Sequence, residues 1–433
     1  MKFALVGQDI PMLLTTLLTD LLFAGNEAAD VAVLENNPAM QGVLKGYMDA
    51  IYHKRGIGGE ALVSSDVQEV LTGADCVVFA DDCMPASRFR MDREALSGEK
   101  DDDPGLSDQA RVNGGIGGLM HTLRCGEKAL NLCDDMSYEC PDALVINLAQ
   151  PMARICAVFE NEGFRCYGLG RTPLRGANGL EGLCHVLHRK PDTVDADIAG
   201  LPGFAFLLRL TDAKTGADLL PDAQDAAEHN DLGRLARRWL DWYGALPMGR
   251  VTDHAEFLPA QPDYIPEEDP QFGETVEQRK ERILHMNTVA DHGADDREGM
   301  IAQLMLLSKA PAQRPMQLAL ALLKGYDLSM PAVTRRNRGV LPQLENHAMI
   351  EATLTLAAGK DVSAPRQVPE ALAETMNTID ETNRLAARAA AGDRSALREV
   401  IEIDPALEGL DRLYVQDVVE KMIEMHGDVL QRL

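Results

Sequence analysis

Apolar residues recur along the first two hundred positions in short runs that alternate with amphipathic stretches. The runs fall at residues 3–6, 31–35, 76–80, 144–148 and 165–169, bounded by turn-forming residues, and they read as strands. After the first comes PMLLTTLLTDLLFAG, whose leucines 13, 14, 17, 18, 21 and 22 form one apolar stripe of a helix that Gly25 is placed to stop. Strands alternating with helices predict a parallel sheet with crossover helices, a doubly wound α/β domain over residues 1–198. A polar stretch at 97–118, with glycines 114, 115, 117 and 118, interrupts the alternation where the backbone must turn or approach something closely. From residue 199 the pattern changes. FAFLLRL, TDAKTG and ADLLP read as a hairpin, and the remainder reads as mainly helical, a second α+β domain over 199–433. The segment AMIEATLTLAA reads as an apolar helix face in want of a partner, which predicts a homodimer or higher homo-oligomer.

Composition narrows the class. The chain has 433 residues, 45% hydrophobic and 25% charged, enough for two domains and a large core. No apolar run nears the roughly 20 residues of a membrane span, and MKFALVGQDI lacks a signal-peptide plan. The eight cysteines form no CxxC pair and sit mostly among apolar residues, so they read as reduced thiols of a cytoplasmic protein. A net charge of −26 excludes the polyanions, nucleic acid and anionic membrane, as partners.

The first candidate chemistry lies at FALVGQDIPMLL. A strand, a tight turn at Gly7 and a helix from about Ile10 open a dinucleotide-binding, Rossmann-like fold. The place of the second glycine holds Asp9. A carboxylate about 4 Å from a pyrophosphate charge costs on the order of 4 kcal/mol at an effective dielectric of 20. Asp9 is instead a natural helix N-cap, with Pro11 in the first turn. Glu35, at the end of the second strand, suits a ribose diol and is equally a plain strand-end acid.

Several motifs then occur in a specific order: GADCVVFA, SRFRMDRE, GGIGG, DALVINLAQPMA, a strand ending at YGLGR, DIAGLPGFAFLL, NRGVLPQLENHAMIEA and AAGDRSALREVIEIDP. Over nearly the whole chain they resemble glycoside hydrolase family 4, the NAD- and metal-dependent glycosidases related to lactate and malate dehydrogenases. The resemblance implies that NAD⁺ oxidises a sugar at C3 while a divalent metal, usually Mn²⁺, held by a Cys and a His polarises neighbouring oxygens. A Tyr then takes the C2 proton and the glycosidic bond breaks by elimination.

The positions that the resemblance assigns to this chemistry are altered. The metal Cys falls on Gly170, the metal His on Gly203 and the Tyr base on Phe257. A GLCH match at 182–185 lies inside a helical stretch and is set aside. Hence no divalent metal is expected, and ordinary NAD binding through Gly7, Asp9, Glu35 and Asn147 is disfavoured. His254 and Arg171 remain as catalytic candidates. Arg88, Arg111, Asn147, Gln150 and Arg171 are candidates to hold a carbohydrate, an anionic one because guanidinium groups suit carboxylate and phosphate. Three readings stay open: a diverged enzyme in the same crevice, a non-catalytic sugar-binding or partner protein, and a working NAD-dependent α-glycosidase.

Overall fold

The computed structural model describes residues 1–24, 28–55, 58–81, 86–97, 104–170, 173–174, 179–229, 232–249, 251–259, 274–292 and 314–433. Twelve strands form one sheet: β1 (Lys2–Val6), β2 (Asp30–Leu34), β3 (Ala61–Ser64), β4 (Cys76–Phe79), β5 (Leu144–Asn147), β6 (Cys166–Gly168), β7 (Val194–Leu201), β8 (Phe204–Asp212), β9 (Leu246–Met248), β10 (Leu328–Arg336), β11 (Met349–Ala357) and β12 (Lys360–Asp361). The spatial order is β3-β2-β1-β4-β5-β6-β10-β11-β7-β8-β9, with β12 on β11. The first six strands are parallel, and their order reverses at β1/β4, the place where such sheets bind ligands beyond the carboxyl ends of the strands. The other six join antiparallel, so the sheet runs unbroken into the second half of the chain.

Both faces of the parallel part are covered. Phe3, Leu5, Val31 and Val33 pack with helices Ile10–Phe23, Pro38–Arg55, Val276–His292 and Pro315–Lys324. Ala4, Val6, Val77 and Phe79 pack with Gly115–Glu139 and Met152–Asn161 on the other face. Alternate residues of each strand feed opposite cores, which is why these strands read as continuous apolar runs.

The sequence reading departs from the structure in several places, and β9, β10 and β12 lie where a mainly helical remainder was expected. AMIEATLTLAA is β11, a nine-residue strand between β10 and β7, with Met349, Ile350, Leu354 and Leu356 buried. Its apolar residues are spent inside the sheet, so this support for a homodimer is withdrawn. The hairpin of β8 forms with the preceding strand β7. After TDAKTG the return is one bridge, Thr211 to Asp218, because Pro221 has no N–H for a ladder and sits instead in the first turn of helix Leu220–Glu228. Strand β3 was missed because it is a four-residue, half-buried edge without an apolar run. Gly25 and part of the polar stretch, 98–103, lie outside the described residues.

Candidate functional site

One register row crosses the sheet at the carboxyl ends of the parallel strands. Val6 pairs with Phe79, Phe79 with Asn147, Asn147 with Gly168, Gly168 with Thr334, Thr334 with Glu351, and Glu351 with Gly200. Residues directly opposite one another point to the same face, so the side chains of the row share one face, interrupted at Gly168. It is apolar at the β1/β4 end and polar from Asn147 to Glu351.

At the β1/β4 end lies a cavity of about 660 Å³, lined by Gly7, Gln8, Glu35, Asn37, Phe79 and Lys128 among others. Gly7 has φ +127°, and a Cβ there would stand 2.1 Å from the Ala80 carbonyl oxygen. Its bareness is therefore required by the crossing of β1 and β4. Asp9 makes no side-chain cap on the helix it precedes, contrary to the N-cap expectation, while its backbone N–H donates to the Ala80 carbonyl at 3.0 Å. Glu35 accepts the Asn37 N–H at 2.8 Å and stands at the end of β2 on the cavity wall, where a ribose would lie. Lys128 is held by Asp81 at 2.8 Å on the same wall.

The middle of the row is closed by local bonds. Asn147 is fully buried; its amide donates to the Ala149 carbonyl at 3.1 Å and to the sulfurs of Met152 and Cys156, and its oxygen accepts the Ala149 N–H. Gln150 accepts the Met152 N–H at 3.0 Å. These amides shape the turn into helix Met152–Asn161.

At the far end the three altered positions do converge. A Cβ on Gly170 would stand 3.3 Å from Oε1 of Glu351, and a Cβ on Gly203 would stand 3.1 Å from the Phe257 ring. Glu351 also accepts the Gly203 N–H. Burial, with the negative charge of Asp253 added, pushes the Glu351 carboxyl up to about 8. Nearby, burial and Asp253 raise Glu256 to about 7, against the pull of the Asn113 and Val112 N–H groups and Arg111. Glycines cannot ligate, so the described side chains do not fit a Cys–His metal shell; what this end offers is carboxylate oxygen.

The remaining candidates are placed as follows. His254 is buried among Phe204, Phe206 and Trp239, its Nε2–H donating to the Met248 carbonyl at 3.2 Å. Burial holds it down to about 4, and a core imidazole shut in by rings is no base for a substrate. Arg111 spends its guanidinium on the carbonyls of Ala255, Glu256 and Leu258, clamping the segment that presents Phe257. Arg88 pairs with Asp428 and His426 at the C-terminal end of the chain. Cys184 is buried in another core and His185 is exposed. Arg171 lies outside the described residues. Sequence reasoning missed Thr334, Glu351 and Glu256. A lone Glu in the apolar run AMIEATL was the available signal for Glu351.

Comparison with known proteins identifies the fold's relatives. Residues 14–167 match the family 4 glycosyl hydrolases, and residues 198–407 match the C-terminal domain of the same family. An α-glucosidase of Erwinia rhapontici is 30% identical over 126 residues, 27% of this chain and 25% of that protein. It and a second curated relative are thus matched over only 25% and 34% of their own length. A 6-phospho-α-glucosidase from gut microorganisms, solved with NAD and Mn²⁺, superposes with TM-score 0.75 at 16% identity, covering 99% of this chain and 98% of that one. A 6-phospho-β-glucosidase of Thermotoga maritima, solved with manganese, NAD⁺ and glucose-6-phosphate, superposes with TM-score 0.68 at 15% identity, covering 99% of each chain. These findings overturn the expectation that NAD is disfavoured and that no divalent metal is involved: relatives of the same fold over the whole chain hold both.

Proposed function

Because the chain belongs to family 4 of the glycosyl hydrolases, we propose that it binds NAD in the β1/β4 crevice and a phosphorylated sugar at the polar end of the register row, and that it acts on glycosides of that sugar. The observation that carries this reading is the row itself. It leads from the cavity wall at Val6 and Phe79 to Glu351, so one register row runs from the cavity to the buried carboxyl beside the altered positions. The span from Phe79 to Glu351 is four strand spacings, about 19 Å at about 4.8 Å each. The Thermotoga maritima relative solved with NAD⁺ and glucose-6-phosphate supports the choice of ligands.

Bound NAD⁺ would supply a hydride acceptor to the sugar. The chain's own part is to bind and orient. Glu35, held by the Asn37 N–H, receives the ribose hydroxyls, and Gly7 keeps the β1 turn bare beside them. Asn147 and Gln150 fix the turn beneath the middle of the row. Among the described residues the sugar end holds the carboxyls of Asp253, Glu256 and Glu351, and Phe257 has no proton to take or give. That ring favours a second reading, in which sugar phosphate is bound without turnover. The two are separated by following release of nitrophenol from nitrophenyl 6-phosphoglycosides with NAD⁺ and Mn²⁺ present. Release dependent on NAD⁺ supports the enzyme; saturable binding of glucose-6-phosphate without release supports the binding protein; neither overturns both.

A further inference from the structure

Two buried polar atoms in the row have no hydrogen-bond partner among the described residues: Oγ1 of Thr334 and Oε2 of Glu351, whose other oxygen takes the Gly203 N–H. They are register partners on adjacent strands β10 and β11, so their Cβ atoms lie about 4.5–5.5 Å apart on one face. Their exposures are 0% and 1%. Native proteins rarely leave such groups unpaired, because each lost bond costs about 1–3 kcal/mol. Two orphans side by side therefore point to something that completes them.

The surroundings define what it is. Gly170 brings bare backbone to this place, where a Cβ would meet Glu351 Oε1 alone within 4 Å among the described residues, while Gly168 is packed under the sulfurs of Met152 and Cys156. The charge of a described residue that reaches Glu351 is that of Asp253, itself negative, so an anion is repelled here. A carboxyl oxygen beside a hydroxyl offers acceptors and a donor at one spacing, which matches the hydroxyls of a polyol. We infer that Thr334 and Glu351 form a subsite for the uncharged hydroxyl face of the sugar, and that the phosphate of a sugar phosphate lies away from it. This rests on the reading of the chain as a sugar-phosphate-binding protein and adds which residues read the ring.

The test is calorimetric titration with glucose-6-phosphate and, separately, inorganic phosphate and Mn²⁺, on wild type, Glu351→Gln and Thr334→Val. Thermal midpoints establish that both variants fold; Gln is isosteric and uncharged, and Val keeps the shape of Thr. The expected result is a loss of at least tenfold in glucose-6-phosphate affinity for Glu351→Gln and a several-fold loss for Thr334→Val, with inorganic phosphate bound as by wild type. Unchanged sugar phosphate affinity in both variants overturns the subsite and leaves the binding reading intact. Loss of Mn²⁺ binding in Glu351→Gln with sugar phosphate affinity retained overturns the hydroxyl assignment. A wild type that binds no sugar phosphate overturns the inference together with the reading beneath it.

Discussion

At the scale of single residues, Glu351 sets the strongest dependence on pH. Its folded-state pKa is raised from 4.5 to about 8, so its favourable contribution is complete below 4.5 and is lost as pH rises through 8. Without ligand, Glu351→Gln should be more stable than wild type at pH 8, by on the order of 4 kcal/mol relative to the difference at pH 5. Urea unfolding at the two pH values measures it, and equal differences at both would remove the buried charge from the account. His254 has the opposite sign. Its pKa falls from 6.5 to about 4, so stability present above 6.5 is lost as pH falls to 4. Replacing it with Phe, which suits the aromatic nest, should flatten unfolding midpoints across that window, where wild type loses on the order of 3 kcal/mol. Neither role was readable in the sequence. The apolar run around Glu351 hinted at its burial but not at its neighbours, and Glu351 meets Gly170 and Gly203 only through pairings between strands far apart in the chain.

At the scale of elements, one clamp holds the site's segment and one buried ion pair ties helices elsewhere. Arg111 joins the glycine-rich entry of helix Gly115–Glu139 to the segment 255–258. Arg111→Ala should cost about 2–3 kcal/mol through unpaired carbonyls and loosen Phe257, so near-ultraviolet circular dichroism should change along with the urea midpoint. Farther off, Asp92 receives a bidentate Arg124 at 2.8 and 3.1 Å and His426 at 2.7 Å, all buried, tying helices Ala86–Ser97 and Gly115–Glu139 to the end of Arg412–Met425. Asp92→Ala strands a buried guanidinium and should destabilise by about 3–5 kcal/mol. A cost below about 1 kcal/mol would mean that the pair is not buried in solution. The elements themselves were unequally legible. Strands buried on both faces wrote continuous apolar runs, whereas β7, β10 and β11 carry Asp195, Asp197, Thr334 and Glu351 among apolar residues and lose that signature.

At the scale of the whole molecule, the order of motifs along the chain was enough to identify the family, since the positions that fail individually still stand in sequence. What it could not give was the consequence of the failures. Asp9 suggested a carboxylate set against a pyrophosphate, yet the cavity at this turn is lined by Gly7, Gln8, Glu35 and Lys128. The altered metal and base positions marked one site, and Gly170 and Gly203 do meet beside one buried carboxyl, with the Phe257 ring against Gly203. The central claim is that a single row of side chains serves cofactor and sugar together. Titration of NAD⁺ into the protein, with and without saturating glucose-6-phosphate, and again with Glu35→Ala, tests it most directly. The account predicts saturable one-to-one binding of NAD⁺, tighter when the sugar phosphate is present, and at least about tenfold weaker in Glu35→Ala, or about 1.4 kcal/mol. Absence of saturable NAD⁺ binding under both conditions, or binding indifferent to Glu35, would contradict it.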